Sequence, residues 1–583
     1  MIKRLAKCVR EYKLPSFLSA LFVACEVVME VLIPFTMADM LDYGINAGDM
    51  DFVIRCGIKL VIFAALTIFF GNMAGRCAST ASCGFAKNLR HDMYYNVQNF
   101  SFSNIDKFST SSLITRMTTD VSNVQNAYMM IVRTAIRSPM MMVCSSVFAF
   151  RIYPQLAMIF MLCLPVIATG LYIIMTKTHP IFKRVFKTYD RLNRTVQENL
   201  RGIRVVKSFI REDHEADKFE KTSGDIRRDF THAEFNLAWN APLMQGCTYV
   251  CMLLVSWLGA QAIIASGNNP EAGLTTGMLM SLITYSMQIL MSVMMLSMVF
   301  VMITISRESA ERICAVLEEK SDLSSSENAI REVADGSIKF EHVFFRYSEK
   351  SEKNCLEDVS VEIKSGETIG IIGGTGSSKS TFVQMIPRLY DATEGTVFVG
   401  GKDVREYDLE ILRDEVAMVL QKNVLFSGTV RENLLWGNEN ATQEEIEHAC
   451  KLAQADGFIK EMPEGYDTYL EQGGSNVSGG QKQRLCIARA LLKRPKILIL
   501  DDSTSAVDTK TDALIRKAFA EEIPDTTKII IAQRIASVQD ADKIIVLDAG
   551  KIAAIGCHSE LLETSDIYRE VYESQMKGAI SDD

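Results

Sequence analysis

Six stretches of this chain, 15–41, 53–78, 128–150, 154–176, 241–265 and 276–304, are apolar over roughly the 20 residues a helix needs to cross a bilayer. One such stretch also suits a buried helix of a large soluble protein. Six in succession, all within residues 1–318 of a 583-residue chain, point to an all-α membrane domain. The charges agree. The connection 42–52 has no Lys or Arg and carries Asp42, Asp49 and Asp51; the connection 266–275 also lacks both, and the third short connection offers only Arg151. The long connection after the fourth stretch holds Lys183, Arg184, Lys187, Arg191, Arg194, Arg201, Arg204 and Lys207. Basic residues mark the cytoplasmic side, so the N-terminus, both long connections and the C-terminal half are expected in the cytoplasm, with a bacterial cytoplasmic membrane as the setting. Lys3, Arg4, Lys7, Arg10 and Lys13 lead straight into the first stretch, a pattern that suits an amphipathic helix on the membrane surface.

Residues 79–127 and 177–240, the long connections, are poor in Gly and Pro and read as charged helical continuations of the spans. Their turns are expected near Phe102–Asp106 and Phe209–Phe219, either as plain helical hairpins or as a mechanical link to the soluble half. Glu26 and Glu30 lie four residues apart, on one face of the first span. Carboxylates are expensive there; pairing with Arg133 or Arg137 and recognition of a cationic cargo both fit. Met287, Met291, Met294, Met295, Met298 and Met302 fit either core and lipid packing or an adaptable surface for varied apolar ligands. A net charge of −9 argues against a general nucleic-acid binder. The 14 cysteines show neither paired nor metal-type spacing, as expected for free thiols.

Residues 319–336 turn polar and read as a linker to a soluble α/β domain, 337–583. The strand-like Glu367–Ile372 runs into Gly373-Gly374-Thr375-Gly376-Ser377-Ser378-Lys379-Ser380, and a helical stretch begins with Thr381. Successive N–H groups of such a loop cradle phosphates, the lysine reaches the β/γ-phosphates and the serine hydroxyl holds Mg²⁺. Downstream, Lys496–Leu500 is a buried-strand pattern ending in Asp501-Asp502, and a strand-end acid supplies a second Mg²⁺ contact. Together the two motifs indicate a nucleoside triphosphate, ATP or GTP, with Mg²⁺.

Between them stands Val477-Ser478-Gly479-Gly480-Gln481, followed by the helical KQRLCIARALL. With this segment the chain resembles the ATP-binding-cassette (ABC) exporters over essentially its whole length: six transmembrane helices, then an α/β nucleotide-binding domain of phosphate-loop type. The resemblance implies a dimer in which the VSGGQ segment of one subunit closes over ATP on the phosphate loop of the other. It also implies that Tyr347 stacks on adenine, that Gln421 touches Mg²⁺ and faces the membrane-domain turns, that Ser505-Ala506-Val507-Asp508 communicates across the dimer, and that the turns at 102–106 and 209–219 are coupling helices.

Four positions depart from that family's pattern. Asp502 replaces the glutamate that polarises water, one methylene too short for a role worth about 10²–10⁴-fold. Gln533 replaces a histidine on the γ-phosphate and cannot become cationic. Ser378 replaces a glycine, and Gln472 stands where a glutamate commonly precedes the signature. The resemblance therefore implies a heterodimer: this chain's site binds ATP and turns over slowly, and its Ser478–Gln481 segment completes the site of a homologous subunit that has the glutamate. The expected cargo is hydrophobic or amphipathic. A slow homodimer, a dedicated peptide or lipid exporter and a nucleotide-gated channel are the alternatives; with few residues before the first span, a peptidase domain is not expected.

Overall fold

In the computed structural model, residues 1–269, 273–326, 328–348, 351 and 353–581 are described. Residues 270–272 of the connection 266–275, residue 327 of the expected linker, and residues 349, 350, 352, 582 and 583 of the expected soluble domain lie outside them. The chain forms two compact units, Met1–Gln98 with Thr110–Glu319, and Asn99–Ser109 with Lys320–Asp583.

The main helices up to the second unit's β-strands, in chain order, are α1 Lys13–Asp39, α2 Met50–Gln98, α3 Phe102–Phe108, α4 Val121–Ile152, α5 Pro154–Arg201, α6 Glu212–Ala238, α7 Asn240–Ser266 and α8 Thr276–Glu318; all but α3 belong to the first unit. Among the described residues, six helical segments of this unit are long and apolar enough to cross a membrane. Proline opens α5, where its missing N–H would have no helical partner anyway. Val23, Val27 and Val31 recur every fourth residue on α1 and are fully buried against Ala74, Met141, Leu282 and Ile289. Pro34 interrupts the backbone ladder of α1. Beside it, Tyr285 Oη of α8 donates to the Val31 carbonyl at 2.7 Å and Ser281 Oγ to the Pro34 carbonyl at 2.6 Å, two hydrogen bonds that tie α8 to α1.

The chain bends between α5 and α6 at the start of the expected 209–219 segment. A short helix spans Ile203–Ser208 and α6 begins at Glu212, so the turn falls on Phe209, Ile210 and Arg211. Ile210 takes φ 51°, a left-handed conformation that is strained for a β-branched residue. The other expected turn is α3, which packs within the second unit. Ser101 caps it reciprocally with Asn104; Phe102 meets the Tyr390 ring at 6.0 Å, and Tyr390 Oη donates to Asp106 at 2.8 Å.

The second unit holds β1 Ile338–Phe345, β2 Leu356–Ile363, β3 Thr368–Gly373, β4 Glu394–Val399, β5 Lys402–Asp403, β6 Val416–Val419, β7 Gly428–Thr429, β8 Tyr469–Leu470, β9 Ile497–Asp501, β10 Thr527–Ile531, β11 Lys543–Asp548 and β12 Lys551–Gly556. An antiparallel sheet runs β2-β1-β4-β5, β7 pairs with β8, and the central sheet runs β12-β11-β3-β10-β9-β6, parallel except for β12. Leu498 and Leu500 enter one core while Ile497 and Ile499 enter the other. Burial on both faces explains why β9 reads as an unbroken apolar run. β3, β10 and β9 are neighbours, so the loops after Gly373, Ile531 and Asp501 emerge side by side at their carboxyl ends, where open α/β sheets bind ligands.

Candidate functional site

Beyond Gly373 the chain turns through Gly376 (φ 84°) and Ser378 (φ 70°, ψ 26°) into a short helix, α9 Lys379–Gln384. Ser378 thus occupies a left-handed position that glycine adopts freely, at a cost of about 1–2 kcal/mol. Lys379 Nζ donates to the carbonyls of Gly373 and Gly374, both at 2.9 Å, and to Ser377 Oγ at 3.3 Å. Burial lowers its pKa, opposed by the charges of Asp501 and Asp502. Ser380 Oγ donates to Asp501 Oδ1 at 3.0 Å. Asp501 is only 3% exposed, and burial holds its pKa above the ordinary carboxylate range, with the Ser380 bond and Lys379 pulling it back. A hydroxyl and a carboxylate side by side are the hard oxygen donors that Mg²⁺ takes, so these residues fit that ion.

Tyr347 Oη lies 2.9 Å from Thr381 Oγ1 and donates to Gln384 Oε1 at 3.3 Å. Its ring meets Phe345 and Tyr390 edge-on and stays 49% exposed, so an aromatic surface stands next to the phosphate loop. Gln421 is exposed in the loop after β6 and makes no hydrogen bond to these groups among the described residues.

Asp502 also sits left-handed, at φ 49°, and its N–H donates to the Ile531 carbonyl at 3.1 Å, tying the end of β9 to the end of β10. Gln533 Nε2 donates to Asp502 Oδ2 at 2.7 Å. Two of the four departures noted in the sequence are therefore in direct contact.

Ser478 caps α10 Gly479–Leu491: its hydroxyl accepts from Gln481 N, while Gln481 Oε1 accepts from Ser478 N at 2.9 Å. Val477 packs partly buried on the core behind. Gly479 and Gly480 lie against Ala506; a side chain on Gly480 would come within 2.8 Å of the Ala506 carbonyl. Gln483, a residue that sequence reasoning missed, joins these parts. It donates to Ser505 Oγ at 3.2 Å and accepts from Ala506 N at 2.9 Å, and Ser505 Oγ donates onward to the Asp502 carbonyl at 3.0 Å. Val507 is buried, and Asp508 caps the following helix through Thr511 N. The signature thus reaches Asp502 through Gln483 and Ser505, and no hydrogen bond joins Ser478–Gln481 to the phosphate loop among the described residues. Only burial marks Gln483, a polar side chain 5% exposed inside a helical run, and burial has no local sequence signal.

In the first unit, Arg137 Nη2 donates to Glu30 Oε2 at 2.7 Å and lies 3.6 Å from Glu26 Oε1. Glu26 is buried, and its Oε2 has no hydrogen-bond partner among the described residues. It faces Gly71, where a side chain would crowd its carboxylate at 3.2 Å, whereas Arg133 lies beside Gly75 one turn away. Met287, Met291, Met294, Met295 and Met298 are exposed on α8. All 14 cysteines are free thiols, and no cluster of His, Cys, Asp and Glu suited to a metal occurs among the described residues.

Residues 16–303 match the ABC transporter transmembrane region, and residues 356–505 match the ABC transporter family. YfiB of Bacillus subtilis, an uncharacterized ABC transporter ATP-binding protein, is 35% identical over 566 residues, covering 97% of each chain. Rv1273c of Mycobacterium tuberculosis, likewise an uncharacterized ABC transporter ATP-binding protein, is 34% identical over 558 residues, covering 94% of this chain and 93% of its own. A bacterial Atm1-family ABC exporter solved with ATP bound shares the fold, with a TM-score of 0.81 at 23% identity over 97% of this chain and 98% of that one. The chain is a multi-pass membrane protein of the ABC transporter family, carrying the family's transmembrane region and its ATP-binding domain in one polypeptide.

Proposed function

We propose that this chain exports hydrophobic or amphipathic compounds as one half of a heterodimer whose faster ATP site is completed by this chain and chemically powered by its partner. The observation that carries the reading is the 2.7 Å hydrogen bond from Gln533 to Asp502, set beside phosphate-binding groups that are all present. Lys379, Ser380 and Asp501 supply the charge and oxygen donors for ATP and Mg²⁺, and Tyr347 an aromatic face for adenine. Bound Mg²⁺ neutralises phosphate charge and polarises the transferred group. At the position where a base would orient water, the shorter Asp502 is engaged by an uncharged amide. ATP is accordingly kept on this chain longer than it is cleaved.

The Ser478 cap leaves the N–H groups of Gly479 and Gly480 at a helix N-terminus, a setting that favours an anionic phosphate from the partner's loop. Gln421, α3 and the turn at 209–219 are assigned to coupling between nucleotide and membrane domains, with both termini cytoplasmic. Glu26 and Glu30 are placed on the cargo path as carboxylates already answered by Arg137. Transport of cationic compounds should then fall more than that of neutral ones in Glu26→Gln and Glu30→Gln variants; equal transport of both would refute that placement.

The deciding experiment measures ATPase activity of the reconstituted chain alone, and then with a homologous subunit that carries the glutamate, across a compound panel. Compound-stimulated turnover should need the pair and should collapse when Ser478 is replaced by Arg. Rapid hydrolysis by the chain alone that vanishes in Asp502→Ala would overturn the heterodimer reading.

A further inference from the structure

The last helix of the second unit, α11 Asp566–Ser581, reaches the loop that carries Gln533. Tyr568 is fully buried, with its hydroxyl 2.7 Å from His558 Nδ1, and Tyr572 packs against the same core and the His558 ring. These residues pin one face of the helix. Gln575, three residues beyond Tyr572, continues that face. Its Nε2 donates to the Gln533 carbonyl at 2.7 Å, and its Oε1 accepts from Ile535 N at 2.9 Å. One carboxamide therefore brackets the backbone from Gln533 to Ile535. On the other side of the loop, Ala532 N donates to the Ile371 carbonyl of β3 at 3.3 Å. Gln533 is held by its backbone from both directions, and its side chain is delivered to Asp502.

The bracket needs a donor and an acceptor on one side chain. Lysine and arginine lack the acceptor, an ionised carboxylate lacks the donor, and asparagine is a methylene shorter.

We infer that Gln575 is a positioning residue: through it the C-terminal helix fixes Gln533 against Asp502 and thereby sets how long this chain retains nucleotide. This rests on the proposed reading of Asp502 and Gln533 as a retaining site. Gln575 touches no nucleotide in this scheme; its effect passes entirely through Gln533. Displacement of α11 would be felt at the site as release of the Gln533 backbone.

The test uses the full-length chain, with its partner subunit where the pair is needed, in lipid nanodiscs. It is loaded with mant-ATP and Mg²⁺, and release is followed after a chase with unlabelled ATP. Gln533→Ala should speed release. Gln575→Ala should speed it about three- to tenfold, the range one ordinary hydrogen bond supports, and Gln575→Glu, which keeps only the acceptor, should fall between wild type and Gln575→Ala. In a Gln533→Ala background, Gln575→Ala should add nothing, because the group it positions is gone. Full additivity in the double variant, or unchanged release in Gln575→Ala while Gln533→Ala is fast, would overturn the inference and leave the reading of the site intact. Unchanged release in Gln533→Ala would instead remove the retaining-site reading and, with it, this inference. Melting of each variant is recorded alongside; should Gln575→Ala fail to fold, Gln575→Asn and Gln575→Glu decide the same question.

Discussion

Each unit contains a carboxylate that its own chain answers, and the two answers differ in kind. In the membrane unit Glu30 and Glu26 face a full positive charge, Arg137, at 2.7 and 3.6 Å. In the nucleotide unit Asp502 faces an uncharged amide, Gln533, at 2.7 Å. An ion pair among apolar helices is hard to exchange, because removing either partner strands a charge where solvation is poor. A carboxylate–amide contact at a partly exposed loop is cheap to exchange, since water replaces either partner at small cost. The first cluster therefore behaves as part of the frame. The second behaves as a setting, which one or two substitutions should change without disturbing the fold.

The largest effect tests the setting. Asp502→Glu combined with Gln533→His should raise steady-state phosphate release at this chain's site by about 10²–10⁴-fold, read in a pair whose partner site is silenced. Asp502→Glu alone should give part of this, because the longer side chain still meets Gln533. No increase in the double variant would mean that the Asp502–Gln533 contact does not limit turnover, and the contrast with the membrane cluster would dissolve.

The frame is tested next. Arg137→Leu leaves Glu26 and Glu30 without a cation and should cost about 3 kcal/mol of stability, the low end of the range for a broken buried pair because Arg137 is more than a third exposed. Equilibrium unfolding in mixed detergent micelles measures this. Replacing all three residues at once, with Glu26→Gln, Glu30→Gln and Arg137→Leu, should recover most of the loss, since no charge is stranded. An Arg137→Leu variant as stable as wild type would show that the cluster is solvated rather than structural.

How much of this was readable beforehand follows from the range of the forces involved. The six spans and the β9 run announce themselves locally, because lipid and a doubly buried sheet both demand unbroken apolar sequence. Gly373–Ser380 is legible for the same reason: a strand, a turn and a helix start are consecutive. Pairing of Glu26 and Glu30 with Arg137 rather than Arg133 was not decidable, because it depends on the heights of α1 and α4 and on the space left by Gly71. Gln483 and Gln575 were invisible, since their partners lie 22 to 42 residues away in sequence and polar side chains carry no mark of burial. The bend at Phe209–Arg211 falls at the start of the expected 209–219 segment, but its left-handed residue was not legible, because Ile210 is of β-forming type.

A pH titration sharpens the comparison inside the nucleotide unit. Burial raises the Asp501 pKa above the ordinary carboxylate value. The protonated form is thus favoured by the fold. This group's contribution to stability without nucleotide is fully present below its unfolded pKa and is lost as pH rises through the folded one. Mg²⁺ needs the ionised form, so its half-saturating concentration should climb on acidification, up to tenfold per pH unit, beginning above the range where an ordinary aspartate would titrate. Mg²⁺-dependent mant-ATP binding between pH 8 and 4.5 follows this, and Asp501→Asn should flatten the slope. A slope that survives in Asp501→Asn would assign the titration to another group.

The smallest effect concerns backbone alone. Ser378 and Asp502 both take left-handed conformations, at φ 70° and 49°. Ser378 makes no side-chain capping bond there among the described residues, so no cap offsets its strain. Ser378→Gly should stabilise the nucleotide-free protein by about 1 kcal/mol or less, the strain relieved minus the entropy gained by the unfolded chain. Asp502→Gly relieves similar strain but also deletes the acceptor for Gln533, so its net effect should be smaller or destabilising. Equal stabilisation by the two glycines would mean that the Gln533 contact contributes nothing to the folded state, and that the setting at this site is held by Gln575 and the backbone alone.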